Sequence, residues 1–233
     1  ILEGLDGNGS RTLNIHFPWS NSRVYWDCGN NAGSYDRIDK LANQEDYSSK
    51  WNHWVFTKNS VSGEMKIYLN GVLWHSGTNK NATIDIQEIS LGSNGKGNGY
   101  FWDGKIKELR IFNKELNQST IDQWMNIRLN NTHPDYNNLV AYYPFNEGSG
   151  NLANDNSINA TTASFNGNVI WEQSRGDKIS QFFTPTNLRP SLKLFQGNYI
   201  SSTTTVTVLD SALASPNIVQ EKSIYSNYNS LNH

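Results

Sequence analysis

The sequence predicts an all-β fold of two antiparallel sheets packed face to face, with one short helix. Apolar and polar residues alternate over short runs, the period of a strand that buries one side. Between the runs lie Asn, Gly and Ser, which favour turns and make poor helices. Aromatics reach 12% of the 233 residues and charged residues only 17%, a balance suited to half-buried pleated surfaces.

Leu13, Ile15 and Phe17 alternate over residues 12–17 and predict the first strand. Residues 23–27 predict the second, closed by turn chemistry at Asn30, Ala32 and Gly33, and residues 54–58 the third. Met65, Ile67 and Leu69 share one face of a fourth strand, with Lys66 and Tyr68 on the other. Asn70-Gly71 then tolerates the positive φ angles of a tight hairpin, and residues 72–75 return. Residues 84–91 and 106–112 predict strands on either side of a Gly- and Asn-rich loop. Asn117 is placed to cap the one helix, whose apolar residues Ile121, Trp124, Met125 and Leu129 keep helical spacing until His133-Pro134. Residues 139–145 and 168–171 predict the last clear strands. Beyond about residue 175 the pattern thins, with Pro185, Pro190 and Pro216 punctuating it and a Thr-rich run leading into Val206 and Val208. Residues 1–175 are read as one sandwich, and 176–233 as an extension, a linker or the start of a following β domain.

The formal net charge of −2 leaves no basic excess to neutralise phosphates, so a nucleic-acid partner is not expected. No apolar run reaches the roughly 18–20 residues of a membrane span. The chain starts at Ile1 without a charged-then-apolar leader and is read as a piece of a longer protein whose signal peptide has been removed. Cys28 is the only cysteine, so no internal disulfide forms, which suits a secreted or cell-surface bacterial protein better than a disulfide-rich animal one.

Within residues 51–124 four segments follow in order: WNHWVFTKN, GEMKIYLNGVLW, LGS and FWDGKIKELRIFNKELNQSTIDQW. Taken together they resemble the laminin-G-like family of concanavalin A-like jelly rolls. Residues 139–171, LVAYYPFNEGSGNLANDNS…GNVIW, resemble the piece that usually opens such a module, yet here they follow the helix. They either close the same sandwich or begin a truncated second copy; closure is favoured, because two isolated strands bury too little surface. The resemblance implies an antiparallel two-sheet jelly-roll sandwich, ligand contacts on rim loops or the concave face, and often a calcium ion. It also implies attachment to a larger exported bacterial protein such as a glycan-processing enzyme. Lys107 departs from the pattern, standing where the family commonly has Asp.

Retaining glycosidases built on such sandwiches need two carboxylates about 5–5.5 Å apart. The nearest run is Thr83-Ile84-Asp85-Ile86-Gln87-Glu88, where Thr83 and Gln87 flank Asp85 on its face and Glu88 points the other way. Neither a Ser-His-Asp grouping nor a His-x-x-x-His zinc spacing stands among the five histidines, so the chain is read as non-catalytic. Asp27, Asn30, Asp36, Asp39 and Asp103 are the candidate oxygen ligands for calcium. The plainer alternative gives these residues to turns, with surface ion pairs among Asp36, Arg37, Asp39 and Lys40.

A sugar ring offers a flat C–H face to an aromatic, and hydroxyls to Asn, Asp and Arg. Tyr100, Trp102, Trp74, Trp51 and Trp19 lie in or beside loops and are the candidate ligand-binding residues; the alternative is a hydrophobic plug over one end of the sandwich. Trp54, Trp124 and Trp171 sit on apolar faces and are read as core, and His16, His53, His75 and His133 as packed or solvated side chains. Two functions stay open. One is a recognition module for a glycan or cell-surface polysaccharide. The other is a structural or protein-interaction module that orients a neighbouring catalytic domain of the parent protein.

Overall fold

The computed structural model describes residues 2–31, 34–48, 50–167, 169–173, 181–185, 191–196 and 203–211. Ala32 and Gly33 of the expected turn, and Asn168 of the last expected strand, lie outside the described residues. The chain opens with β1 (Leu2–Leu5), β2 (Arg11–His16), β3 (Arg23–Asn31) and β4 (Ser34–Leu41), then a one-turn helix α1 (Gln44–Tyr47). Strands β5 (Asn52–Asn59), β6 (Glu64–Leu69), β7 (Val72–Gly77), β8 (Glu88–Leu91) and β9 (Lys105–Phe112) lead to α2 (Gln118–Trp124). After a short 3-10 turn come β10 (Leu139–Tyr143), β11 (Leu152–Ala153), β12 (Ala163–Asn166) and β13 (Val169–Gln173). The chain then adds β14 (Gln181–Pro185), β15 (Ser191–Gln196) and β16 (Thr203–Ser211).

Two antiparallel sheets result. The first runs β11-β12-β15-β8-β1-β2-β3-β4, and the second β13-β14-β9-β16-β5-β6-β7, with β10 also pairing β9. This is the all-β sandwich that the alternation predicts. Residues 176–233 supply three of its described strands: β14 pairs β13 and β9, β15 pairs β12 and β8, and β16 runs between β5 and β9. Among the described residues no helix is long and apolar enough to cross a membrane.

Period-two alternation sends Leu13, Ile15, Val24, Trp26 and Cys28 of the first sheet into one core with Trp54, Phe56, Met65 and Ile67 of the second. The Trp26 indole N–H crosses between the sheets to the Thr57 carbonyl at 3.0 Å. A smaller apolar cluster, with Val55, Tyr68, Phe112 and Ile121, lies on the far side of the second sheet beneath α2. The hairpin between β6 and β7 turns through Asn70 and Gly71, at φ 51° and 80° as expected. A Cβ on Gly71 would lie 2.7 Å from Asp122 Oδ1, so the turn also seats α2.

Several elements differ from the sequence expectation, β1 and α1 among them, and three of the differences have an identifiable cause. The helix stops at Trp124 rather than running on to Leu129, because Arg110 donates to the carbonyls of Trp124 (3.0 Å) and Ile127 (2.7 Å) and satisfies groups that a continued helix would use. The strand expected over 84–91 is paired only from Glu88, although Ile84 and Ile86 still bury their side chains. Strand β4 lacks a clear apolar alternation because an acid, Asp36, takes an inward place on it. Its partner is the fully buried Lys58 of β5, whose ammonium donates to Asp36 Oδ2 at 2.5 Å and to the Lys80 carbonyl at 3.0 Å.

Candidate functional site

The same alternation that builds the core arrays polar side chains on the outer face of the first sheet. His16 pairs with Tyr25 across β2 and β3, and Asp27 with Arg37 across β3 and β4. The Arg37 fork closes on both Asp27 oxygens at 2.6 and 2.7 Å, and Asn14 Nδ2 reaches Asp27 Oδ2 at 3.3 Å. The Arg37 guanidinium carbon lies 4.9 Å from the centre of the Tyr25 ring and 5.7 Å from that of Tyr35. Arg11 donates to the Tyr35 hydroxyl at 2.5 Å, with its guanidinium 5.0 Å from that ring. Behind Arg11, at 3.7 Å, stands Glu3, whose other oxygen accepts the Gly95 N–H at 2.9 Å.

Two loops raise aromatic walls beside this row. The loop after β2 folds back through bonds from Trp19 N–H to the Arg23 carbonyl and from Ser22 N–H to the Trp19 carbonyl, both 2.8 Å, and leaves Trp19 exposed. The loop after β8 is knotted by Asn94, which accepts Asn98 N–H on its side chain and donates its own N–H to the Gly99 carbonyl. Tyr100 follows with φ 56°, a left-handed conformation that turns its ring outward. The Trp19 and Tyr100 ring centres are 5.3 Å apart at 57°, with His16 edge-on to Trp19 at 4.7 Å. Beside these rings is a hollow of about 240 Å³ lined by Arg11, His16, Trp19, Tyr25, Arg37 and Tyr100. Burial pushes the His16 imidazole down to about 3, helped by the charges of Arg11 and Arg37, so it is neutral at physiological pH.

Of the five aromatics expected to meet a ligand, the fold brings Trp19 and Tyr100 together and sends three elsewhere. Trp102 is turned inward, 9% exposed, with its ring 6.0 Å from Phe17 in the core. It leans on Gly104, where a Cβ would come within 2.8 Å of the indole. Trp74 is half-buried on β7, edge-on to Trp54 at 5.2 Å and 4.5 Å from the Lys40 ammonium. Trp51 is half-buried beside β5, with the Lys107 ammonium 4.4 Å over its ring, which is what Lys107 does at its departure from the family pattern.

The acids proposed for calcium are held apart. Asp27 points outward to Arg37, while Asp36, on the next strand, points inward to Lys58. Asp39 bonds Arg23, so the expected surface pairing among neighbours 36–40 gives way to pairing across strands. The Asn30 side chain lies outside those described, and Asp103 sits half-buried in the loop before β9. Among the described residues no three His, Cys, Asp or Glu side chains gather as metal ligands, and this arrangement does not fit a calcium ion. Asp85 is exposed ahead of β8, where its carbonyl accepts the Thr12 hydroxyl at 2.6 Å. A second hollow of about 390 Å³, lined by Leu5, Asp6, Gly7, Gly9, Gln87 and Glu88, has no aromatic wall.

Arg11, Tyr25 and Arg37, which line the hollow, are not among the residues that the sequence offers as ligand contacts. The signal for Tyr25 and Arg37 is their place in the alternation, out of phase with the buried apolar residues of their strands, whereas Arg11 is in phase with Leu13 and Ile15 and lies next to a register shift between β1 and β2. A family model described as the concanavalin A-like lectin/glucanases superfamily matches residues 2–122. No curated protein and no solved structure matches the chain.

Proposed function

The chain belongs to the concanavalin A-like lectin/glucanase superfamily, and from that membership we propose that it is a non-catalytic module that binds a glycan on the outer face of its first sheet. It serves a larger exported or cell-surface protein of bacterial origin. The observation that carries this reading is the convergence of Trp19 and Tyr100, from two separate loops, over a hollow floored by Arg11, Tyr25 and Arg37. Aromatic walls suit the C–H face of a pyranose, and fixed N–H and O–H groups suit its hydroxyls. The floor is held by side-chain bonds within the sheet, so little order has to be gained on binding.

The test is a glycan array probed with the wild-type chain and with Trp19→Ala and Tyr100→Ala. Binding to at least one glycan that falls in both variants supports the reading; binding to none, or equal binding by all three, rejects it. A second reading, contact with neighbouring domains of the parent protein, is favoured by Leu152 and Ile170. Both are exposed on edge strands that the Trp171 indole ties together through the Gly150 carbonyl at 3.0 Å.

A further inference from the structure

We propose that the ligand of this hollow carries an oxyanion on its sugar ring, a uronate carboxylate or a sulfate ester, which Arg11 and Arg37 receive. This rests on the outer face being the glycan site. The residues lining the hollow include two guanidiniums and no carboxylate. The balancing acids are present but lie beneath. Arg37 is 43% exposed over an Asp27 that is 1% exposed, and Arg11 is 31% exposed over a Glu3 at 11%. Each pair is therefore a dipole with its positive end toward the ligand. A charge 4 Å away interacts much more strongly through such partly desolvated surroundings than through bulk water.

Donor accounting agrees. Asp27 takes Nε and Nη2 of Arg37, leaving Nη1 of the five-donor fork uncommitted among the described contacts. Arg11 spends Nη2 on Tyr35, and its Nη1 stands 3.7 Å from Glu3, longer than a hydrogen bond. Cation–π contacts restrain both guanidiniums, Arg37 over Tyr25 and Tyr35 and Arg11 over Tyr35, which limits the freedom of the spare donors. A site for an uncharged sugar would be expected to offer carboxylate or amide acceptors to hydroxyls. Here the nearby acceptors, Asp27 and Glu3, are already bonded to Arg37 and to Gly95.

The experiment is calorimetric titration of the purified chain with three probes: a neutral β-glucan oligosaccharide, an unsulfated oligogalacturonate and a sulfated galactan oligosaccharide. At least one acidic probe is expected to bind about tenfold or more tighter than the neutral one, an advantage that shrinks as salt is raised from about 0.05 M to about 0.5 M. Which acid wins names the oxyanion. Arg37→Gln and Arg11→Gln should each remove most of that preference. Arg11→Gln is the safer variant, because Glu3 keeps its bond from Gly95 and folding can be checked by the unchanged core tryptophan emission. Neutral binding equal to both acids, or a preference that survives Arg11→Gln, overturns the inference while leaving glycan binding in place. Binding of none of the three overturns the inference, while the glycan array decides separately the reading on which it rests.

Discussion

Replacing Asp36 by alanine tests the tie between the two sheets. Lys58 is fully buried, and its counter-charge is Asp36, which also accepts the Ala82 N–H at 2.7 Å. Removing one partner of a buried ion pair leaves an uncompensated charge, at a cost of about 3–5 kcal/mol. The orphaned Ala82 amide adds about 1 kcal/mol. Against a total stability of about 5–15 kcal/mol for a domain, that is about a quarter or more of what holds the fold. Lys58→Met alone should cost less, because Asp36 is partly exposed and keeps its bond from Ala82. The double variant should then regain part of the loss, with a coupling of about 2–3 kcal/mol. Urea unfolding followed by the emission of buried Trp26 and Trp54 reads all four corners of the cycle. An Asp36→Ala cost under about 1 kcal/mol, or simple additivity in the double variant, would refute the reasoning.

Acid should weaken the fold before carboxylates titrate. Burial pushes the His53 imidazole down to about 3 from its ordinary 6.5, so between those values the unfolded chain binds the extra proton and stability falls as pH falls. The slope is about 1.4 kcal/mol per pH unit, or about 2 kcal/mol lost from pH 7 to pH 5, and a His53→Asn variant should lose less over that interval; an equal loss contradicts the assignment. Trp102→Ala should destabilise by about 3–5 kcal/mol in urea unfolding, whereas Trp19→Ala should cost well under 1 and act on ligand affinity instead. Chelator followed by excess calcium should leave the melting temperature unchanged, since saturating a site at about 100 times its dissociation constant would add about 2.7 kcal/mol and a visible shift.

The strands that were legible from sequence are those whose neighbours in space share one rule. Met65, Ile67 and Leu69 alternate because that face of the second sheet packs on the main core, and Asn70-Gly71 announces its turn through local backbone chemistry alone. Where a partner is distant, the pattern misleads. Asp36 reads as a surface acid until Lys58, from another sheet, is placed beneath it. Leu129 reads as the helix end, yet it reaches its cluster by turns because the Arg110 side chain caps the carbonyls first. Helix α1 did leave a local mark, an Asn43 N–H answered by the Asp46 carboxylate at 2.9 Å, but four residues are too few to show periodicity.

At the site the same division holds. Loop aromatics are visible as types, so Trp19 and Tyr100 were within reach, while the inward turn of Trp102 depends on the space over Gly104. The arginine floor depends on strand register, which places Arg37 opposite Asp27 rather than beside its sequence neighbours.

The most direct measurement is a map of backbone amide shifts as a bound glycan from the array is titrated into the labelled chain. Shifts gathered on Arg11, His16, Trp19, Tyr25, Arg37 and Tyr100 are predicted. Shifts centred instead on the hollow beside Asp6 and Glu88, or on the far sheet near Trp51, would contradict the account.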